Sequence, residues 1–197
     1  MKINNKLSPI LMSALLLMSA SACASPYVIG QAGIYGMGAN NYFNNLYDNE
    51  VRMTGRFGLG YLWDLNEIVK LGVEAGLHLN QAYKDGDSDF NMKVERHSLD
   101  ALAVLDIHFN NPFDVFAKVG LSRISDKLSV NFSNTSFSIS DHAVVPKVVL
   151  GAGYDLSSNV NVHVALTHEF KRNNEDYIYG VEPSASSLML GMMYRFA

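Results

Sequence analysis

The chain has 197 residues and carries 15 basic against 19 acidic side chains, a formal charge of −4. No basic surface for nucleic acid follows from that balance, and a single cysteine gives no disulfide framework. A mean hydropathy of +0.05 fits either a soluble domain or a barrel whose strands are only half apolar.

The first residues read as an export signal. Lys2 and Lys6 precede an apolar stretch at 10–18, and small residues at 19–25 end it. A basic start, a short apolar core and an A-x-A site make a secretory signal peptide. The expected signal is 1–24, cut after Ala22-Cys23-Ala24, with the mature domain at 25–197. A cut after Ala20-Ser21-Ala22 would instead leave Cys23 first, as in a lipoprotein. The apolar run is too short for a helical span, which needs about 20 residues. Removing Lys2 and Lys6 leaves 13 basic against 19 acidic residues.

Eight segments then alternate with period two, the repeat of a strand that presents different faces to its two sides. The first, 27–36, is the least clear, with neither face cleanly apolar. The second, 51–63, sets Val51, Met53, Phe57, Leu59, Tyr61 and Trp63 against Arg52, Thr54, Arg56 and two glycines. The third, 69–80, sets Val69, Leu71, Val73, Ala75, Leu77 and Leu79 against Lys70, Glu74, His78 and Asn80. The fourth has Leu99, Leu105, Ile107 and Phe109 opposite Asp100, Asp106 and His108. The fifth has Val115, Val119 and Leu121 opposite Lys118. The sixth has Pro146, Val148, Leu150 and Tyr154 opposite Lys147 and Asp155. Pro146 removes a ladder hydrogen bond; it sits near the upper end of its strand, where a bulge could accommodate it. The seventh sets Val160, Val162, Val164 and Leu166 against His163, Thr167 and Glu169. The eighth sets Leu188, Leu190, Met192, Tyr194 and Phe196 against Met189, Gly191, Met193 and Arg195.

The connections sort by parity. Those at 64–68, 110–114 and 156–159 are short, while those at 37–50, 81–96, 124–143 and 171–186 are long and polar. An up-and-down barrel inserted from the periplasm has brief turns on one side and long loops on the other. A soluble β-sandwich, the competing fold, has no reason to sort its loops this way. The apolar faces also end in aromatics on the short-turn side: Tyr61, Trp63, Phe109, Tyr154, Tyr194 and Phe196. That placement predicts an aromatic girdle at one membrane interface.

The closing strand, with Gly191-x-x-Tyr194-x-Phe196, resembles the C-terminal assembly signal of bacterial outer-membrane barrels, apart from the extra Ala197 and Met189 in a usually polar place. With the export signal, Tyr27-Val-Ile-Gly30 and Gly151-Ala-Gly-Tyr154, the mature chain resembles the small OmpA/OmpX-type barrels. For OmpA the likeness covers the barrel alone. The resemblance implies an all-β, eight-stranded antiparallel up-and-down transmembrane β-barrel in a Gram-negative outer membrane. It implies outer-membrane lipid, lipopolysaccharide and the barrel-assembly machinery as partners, and a monomer.

Such a barrel is just wide enough for side chains to fill it. The inward charges Arg56, Lys70, Glu74, Asp100, Asp106, Lys118, Lys147, Glu169 and Arg195 are expected to form a paired, closed network. The short turns place Asp106 opposite Lys118, Lys147 near Glu169 and Arg56 near Glu74. The glycine pairs 58/60 and 151/153 lack the helix and Lys of a phosphate loop and read as small inward residues. His168 would need a Ser or acid on its own face, and along its strand that position is Phe170, so no catalytic set emerges. His78, His108 and His163 lie on different strands without metal-ligand spacing. No cofactor or metal is expected. The 124–143 loop alternates at Val130, Phe132, Phe137 and Ile139, so it can extend its strands as a projecting hairpin. The expected role is structural or surface-interactive, in adhesion or envelope protection, through a host or surface ligand of the loops. A narrow channel is the alternative, and a lipid-modifying enzyme is third.

Overall fold

A computed structural model describes residues 24–37, 52–81, 83–87, 90–109, 111–132, 135–170 and 184–196. The expected signal therefore lies outside the described residues except for Ala24, which opens the first strand. The strands are β1 (Ala24–Met37), β2 (Arg52–Asp64), β3 (Val69–Asn80), β4 (Tyr83–Asp87), β5 (Phe90–His108), β6 (Phe113–Phe132), β7 (Thr135–Asp155), β8 (Val160–Glu169) and β9 (Ala185–Arg195). Every pairing is antiparallel. The order β3-β2-β1-β9-β8-β7-β6-β5 closes through β3 on β5, which makes an eight-stranded barrel with no open edge. The ninth strand, β4, carries the direction of β3 upward and pairs with the top of β5.

The closing seam joins the two ends of the described chain. β1 meets β9 from Tyr27↔Arg195 to Met37↔Ala185, and Phe196 N–H donates to Pro26 C=O at 2.8 Å. The three short turns share one geometry. The N–H of Leu65, Phe109 and Leu156 donates to the carbonyl four residues on, at 2.9, 3.1 and 2.9 Å. Side chains support them locally: Asn66 Oδ1 accepts from Ile68 and Val69 N–H, Asn111 Oδ1 from Phe113 N–H, and Ser157 Oγ from Val160 N–H. This is the backbone mimicry for which Asn and Ser are enriched in turns.

The faces are inverted relative to a soluble protein. Val73 (52 % exposed), Leu105 (38 %) and Leu190 (70 %) point out, while Glu74 (3 %) and Lys147 (0 %) are enclosed. A continuous apolar exterior of this kind is unstable in water but matches the hydrocarbon of a bilayer.

Three details differ from the sequence reading. β1 is regular: Tyr27, Ile29, Gln31 and Tyr35 are buried inward, and Val28 and Ile34 face out. Its inward face is aromatic and apolar, which hid the alternation. β5, β6 and β7 run to 19, 20 and 21 residues, about twice what a membrane crossing requires. The 124–143 stretch is the projecting hairpin that its alternation allowed, with Phe132 paired to Thr135, whereas part of 81–96, read as a loop, is the β4–β5 hairpin.

Pro146 needs no bulge. Register runs unbroken through Leu121↔Pro146, in the middle of β7. Its carbonyl accepts from Phe170 N–H on the β8 side, and β7–β8 pairing begins only at Lys147↔Glu169. A residue's N and O point to the same side of a strand, so the missing N–H falls where β8 has ended.

Candidate functional site

The interior is built from the inward alternates of all eight barrel strands. At its centre six charges alternate in sign along one connected chain. Lys118 Nζ lies 2.6 Å from Glu74 Oε2, and Glu74 Oε1 lies 2.7 Å from Arg56 Nη2. Arg56 grips Asp100 with Nε and Nη2 at 3.1 and 2.6 Å, a two-pronged contact suited to a planar guanidinium. Asp100 Oδ2 accepts from Lys147 Nζ at 2.8 Å, and Lys147 reaches Glu169 Oε1 at 3.1 Å. Three cations meet three anions, so the layer is neutral.

Neutral donors complete it. Tyr27 OH donates to Glu74 Oε2 at 2.7 Å, and Ser122 Oγ donates to Glu169 Oε1 at 3.2 Å. His78 sits between Thr54 Oγ1 (2.6 Å) and Lys147 Nζ (3.3 Å). Buried charges survive only when paired and hydrogen-bonded in this way. Glycine makes the room. A Cβ at Gly76 would lie 2.6 Å from Asp100 Oδ1 and 2.7 Å from Arg56 Cζ. Near the upper end, the cavity beside Tyr35, His78 and Glu169 holds about 10 Å³, room for at most one water.

The pairing differs from the sequence expectation at two positions. Asp106 is not opposite Lys118: the register is Asp106↔Phe116 and Val104↔Lys118, and Lys118 reaches across β5 to Glu74. Lys70 sits at the lower rim, paired with the exposed Asp64 at 3.3 Å. Arg56–Glu74 and Lys147–Glu169 do come together.

Around the lower mouth, Arg195 Nη1 contacts Asp155 Oδ1 at 3.0 Å and Nη2 lies 4.0 Å from Asp106 Oδ2. Outside, at the same end, the aromatics point away from the lumen in pairs. Tyr61–Trp63 stack at 6.4 Å, and Phe113–Tyr154 and Tyr194–Phe196 meet edge to face at 5.0 Å. Phe109 is outward too, and Phe113, absent from the sequence reading, joins them. Gly191 is on the inner face, where a Cβ would meet His163 Nε2 at 2.5 Å.

One contact escaped a reading confined to single strands. His168 Nδ1 lies 2.6 Å from Ser186 Oγ, its direct partner across β8 and β9. The pair faces outward beside an apolar groove lined by Val148, Leu150, Val164, Leu166 and Leu188. Phe170 packs edge-on against the imidazole at 4.7 Å. Among the described residues no carboxylate contacts His168.

A closed ring with an apolar exterior, a neutral ionic interior and connections sorted by side defines an integral membrane β-barrel. The family model described as outer membrane protein beta-barrel domain matches residues 10–196, and the chain belongs to that family. No curated protein matches the chain. Solved structures agree in fold. A major outer membrane protein from Thermus thermophilus aligns with TM-score 0.59 at 16 % identity, over 88 % of this chain and 99 % of that one. Neisserial surface protein A gives 0.55 at 16 % identity, and Ail, the attachment invasion locus protein of Yersinia pestis, 0.54 at 16 %; each covers the same shares. At such identities the likeness is one of fold.

Proposed function

We propose that this outer-membrane barrel is a non-catalytic scaffold that presents a surface-binding crown, with a role in adhesion or envelope protection. The observation that carries it is the inequality of its strands. β8 has 10 residues, while β5, β6 and β7 have 19, 20 and 21, and the excess lies on the side away from the short turns. A closed interior leaves solute passage without a path, and long paired strands above the bilayer offer backbone edges and side chains to a partner. The fold shared with a Yersinia pestis protein named for attachment and invasion supports the same reading. In this reading residues 1–24 are the export signal, and the outward aromatics anchor the lower interface. Gly191, Tyr194 and Phe196 serve recognition by the assembly machinery.

The test removes the crown and keeps the barrel. Deleting 128–139 and joining Lys127 to Ser140, register partners, through Asn-Gly shortens the hairpin and retains the Arg96–Asp126 contact. Cells displaying the full chain should adhere to epithelial layers or heparin-coated surfaces more than cells displaying the shortened one. Equal adherence at equal surface density would refute the reading.

A second reading rests on His168 and Ser186. A hydroxyl against an imidazole beside an apolar groove is the beginning of an acyl-transfer site, although a group that orients the imidazole is part of such sites. Lipid A incubated with the purified protein should keep its mass. Loss of an acyl chain that disappears in Ser186→Ala would favour catalysis instead.

A further inference from the structure

We infer that the lower mouth of the barrel is a binding site for one divalent transition-metal cation of the zinc class, held by His108, Asp114 and Asp155. These residues come from the end of β5, the start of β6 and the end of β7. One donor atom of each lies within 4.8 Å of the others. No spacing in the sequence announces them; the two adjacent short turns bring them to one level.

Three observations carry the assignment. The first is charge. The central layer balances three cations against three anions, but the lower layer does not. Asp106, Asp114 and Asp155, with Asp64 at the rim, face two cations among the described residues, Arg195 and Lys70, the latter paired with Asp64 and in register with Asp106. Four carboxylates against two cations leave a formal charge of −2, which one divalent cation cancels.

The second is how the carboxylates are held. Asn161 Nδ2 donates to Asp114 Oδ2 at 2.5 Å and to Asp155 Oδ1 at 2.9 Å, and Arg195 Nη1 donates to the same Asp155 Oδ1 at 3.0 Å. Each carboxylate is thus fixed by one oxygen, with Asp155 Oδ2 turned to 3.6 Å from His108 Nε2. Outer groups that fix the far atom of a ligand are the usual support of a metal site. Gly153, the register partner of Asp114, leaves space for this: a Cβ there would lie 2.6 Å from Asp114 Oδ1 and 2.8 Å from Asn161 Nδ2.

The third is a cluster of unused polar atoms. Asp106 is 2 % exposed and its Oδ1, 3.6 Å from His108 Nδ1, accepts no hydrogen bond. His108 Nδ1 and Asn161 Oδ1, both enclosed, also make none. Buried polar atoms without partners are costly. With a metal on His108 Nε2, the Nδ1–H faces Asp106 Oδ1 at 3.6 Å, the carboxylate support that orients a ligating imidazole.

The donor set selects the metal class. One imidazole nitrogen and two carboxylate oxygens suit zinc-like ions better than calcium or magnesium, which take oxygen alone. Donors on a zinc tetrahedron sit roughly 3.3 Å apart for bonds of about 2.0 to 2.1 Å. Small side-chain rotations reach that spacing. Arg195 Nη2, now 3.3 Å from His108 Nε2, would yield that nitrogen and keep Asp155.

The experiment uses the mature barrel, refolded in detergent and stripped with a chelator. Zn²⁺ titrated against a competing chromophoric chelator should bind one per barrel. His108→Gln and Asp114→Asn should weaken binding by about 10-fold or more. His142→Gln, at an exposed upper histidine, should not change it. Heat-dependent gel mobility confirms folding of each variant. Should His108→Gln and Asp114→Asn fail to fold, the wild type still decides. Saturating Zn²⁺ should slow carbethoxylation of His108, mapped by mass spectrometry, and leave His142 unaffected. No stoichiometric binding up to 100-fold molar excess, unchanged affinity in His108→Gln, or an unprotected His108 would each overturn the site.

Discussion

At the scale of single residues, the interior is governed by the rule that a buried charge must have a partner. Glu74 is the most heavily used: Arg56, Lys118 and Tyr27 all converge on its carboxylate. Glu74→Ala is expected to leave the enclosed Lys118 without its anion and Arg56 with Asp100 alone, and to cost about 3 to 5 kcal/mol, read as a lower urea midpoint in vesicles. Asp106→Ala should cost clearly less, because Lys118 does not depend on it; equal losses would mean that the pairing is wrong. Gly76→Val should destabilise by about 1 to 3 kcal/mol by crowding Arg56 and Asp100, measured the same way. Alternation alone shows that Glu74, Asp100, Lys118 and Lys147 point inward. Which charge meets which is not legible from the turns. Arg56–Asp100, Lys118–Glu74 and Lys147–Asp100 each skip a strand and cross the lumen, whereas turn geometry informs only on neighbours. His168 and Ser186 were missed for a related reason, since their contact joins two strands whose connection is long.

At the scale of elements, lipid decides what the sequence displays. Where a strand crosses the bilayer one face must be apolar, so β3, β8 and β9 are readable nearly to the residue. Above the bilayer that demand lapses. The upper halves of β5, β6 and β7 have mixed sequences and read as polar loops, apart from the alternation of Val130, Phe132, Phe137 and Ile139. Pro146 illustrates how position within an element sets the cost of a substitution. Its nitrogen faces the place where β8 has stopped, so Pro146→Ala should change stability by no more than about 1 kcal/mol. Val149 is paired on both sides, with Lys118 and with Thr167. Val149→Pro should therefore abolish the heat-modifiable folded band on a gel. A tolerated Val149→Pro, or a crippling Pro146→Ala, would contradict the register of β7.

At the scale of the whole molecule, the chain is an inside-out protein: its central charges pair with one another within, and its apolar surface is left for lipid. The charge-paired interior predicts that the protein in a planar bilayer gives no stable conductance steps; reproducible steps would indicate an open lumen. The apolar faces look into the membrane with the aromatic end at its boundary, and the chain carries a native probe of that placement. Trp63 is the single tryptophan of the chain and is stacked with Tyr61 on the outer face near the short turns. In vesicles of brominated phospholipid, its fluorescence should be quenched strongly by bromines near the headgroup and weakly by bromines at the chain ends. Quenching by aqueous iodide with none by any brominated lipid would place Trp63 in water and contradict the account.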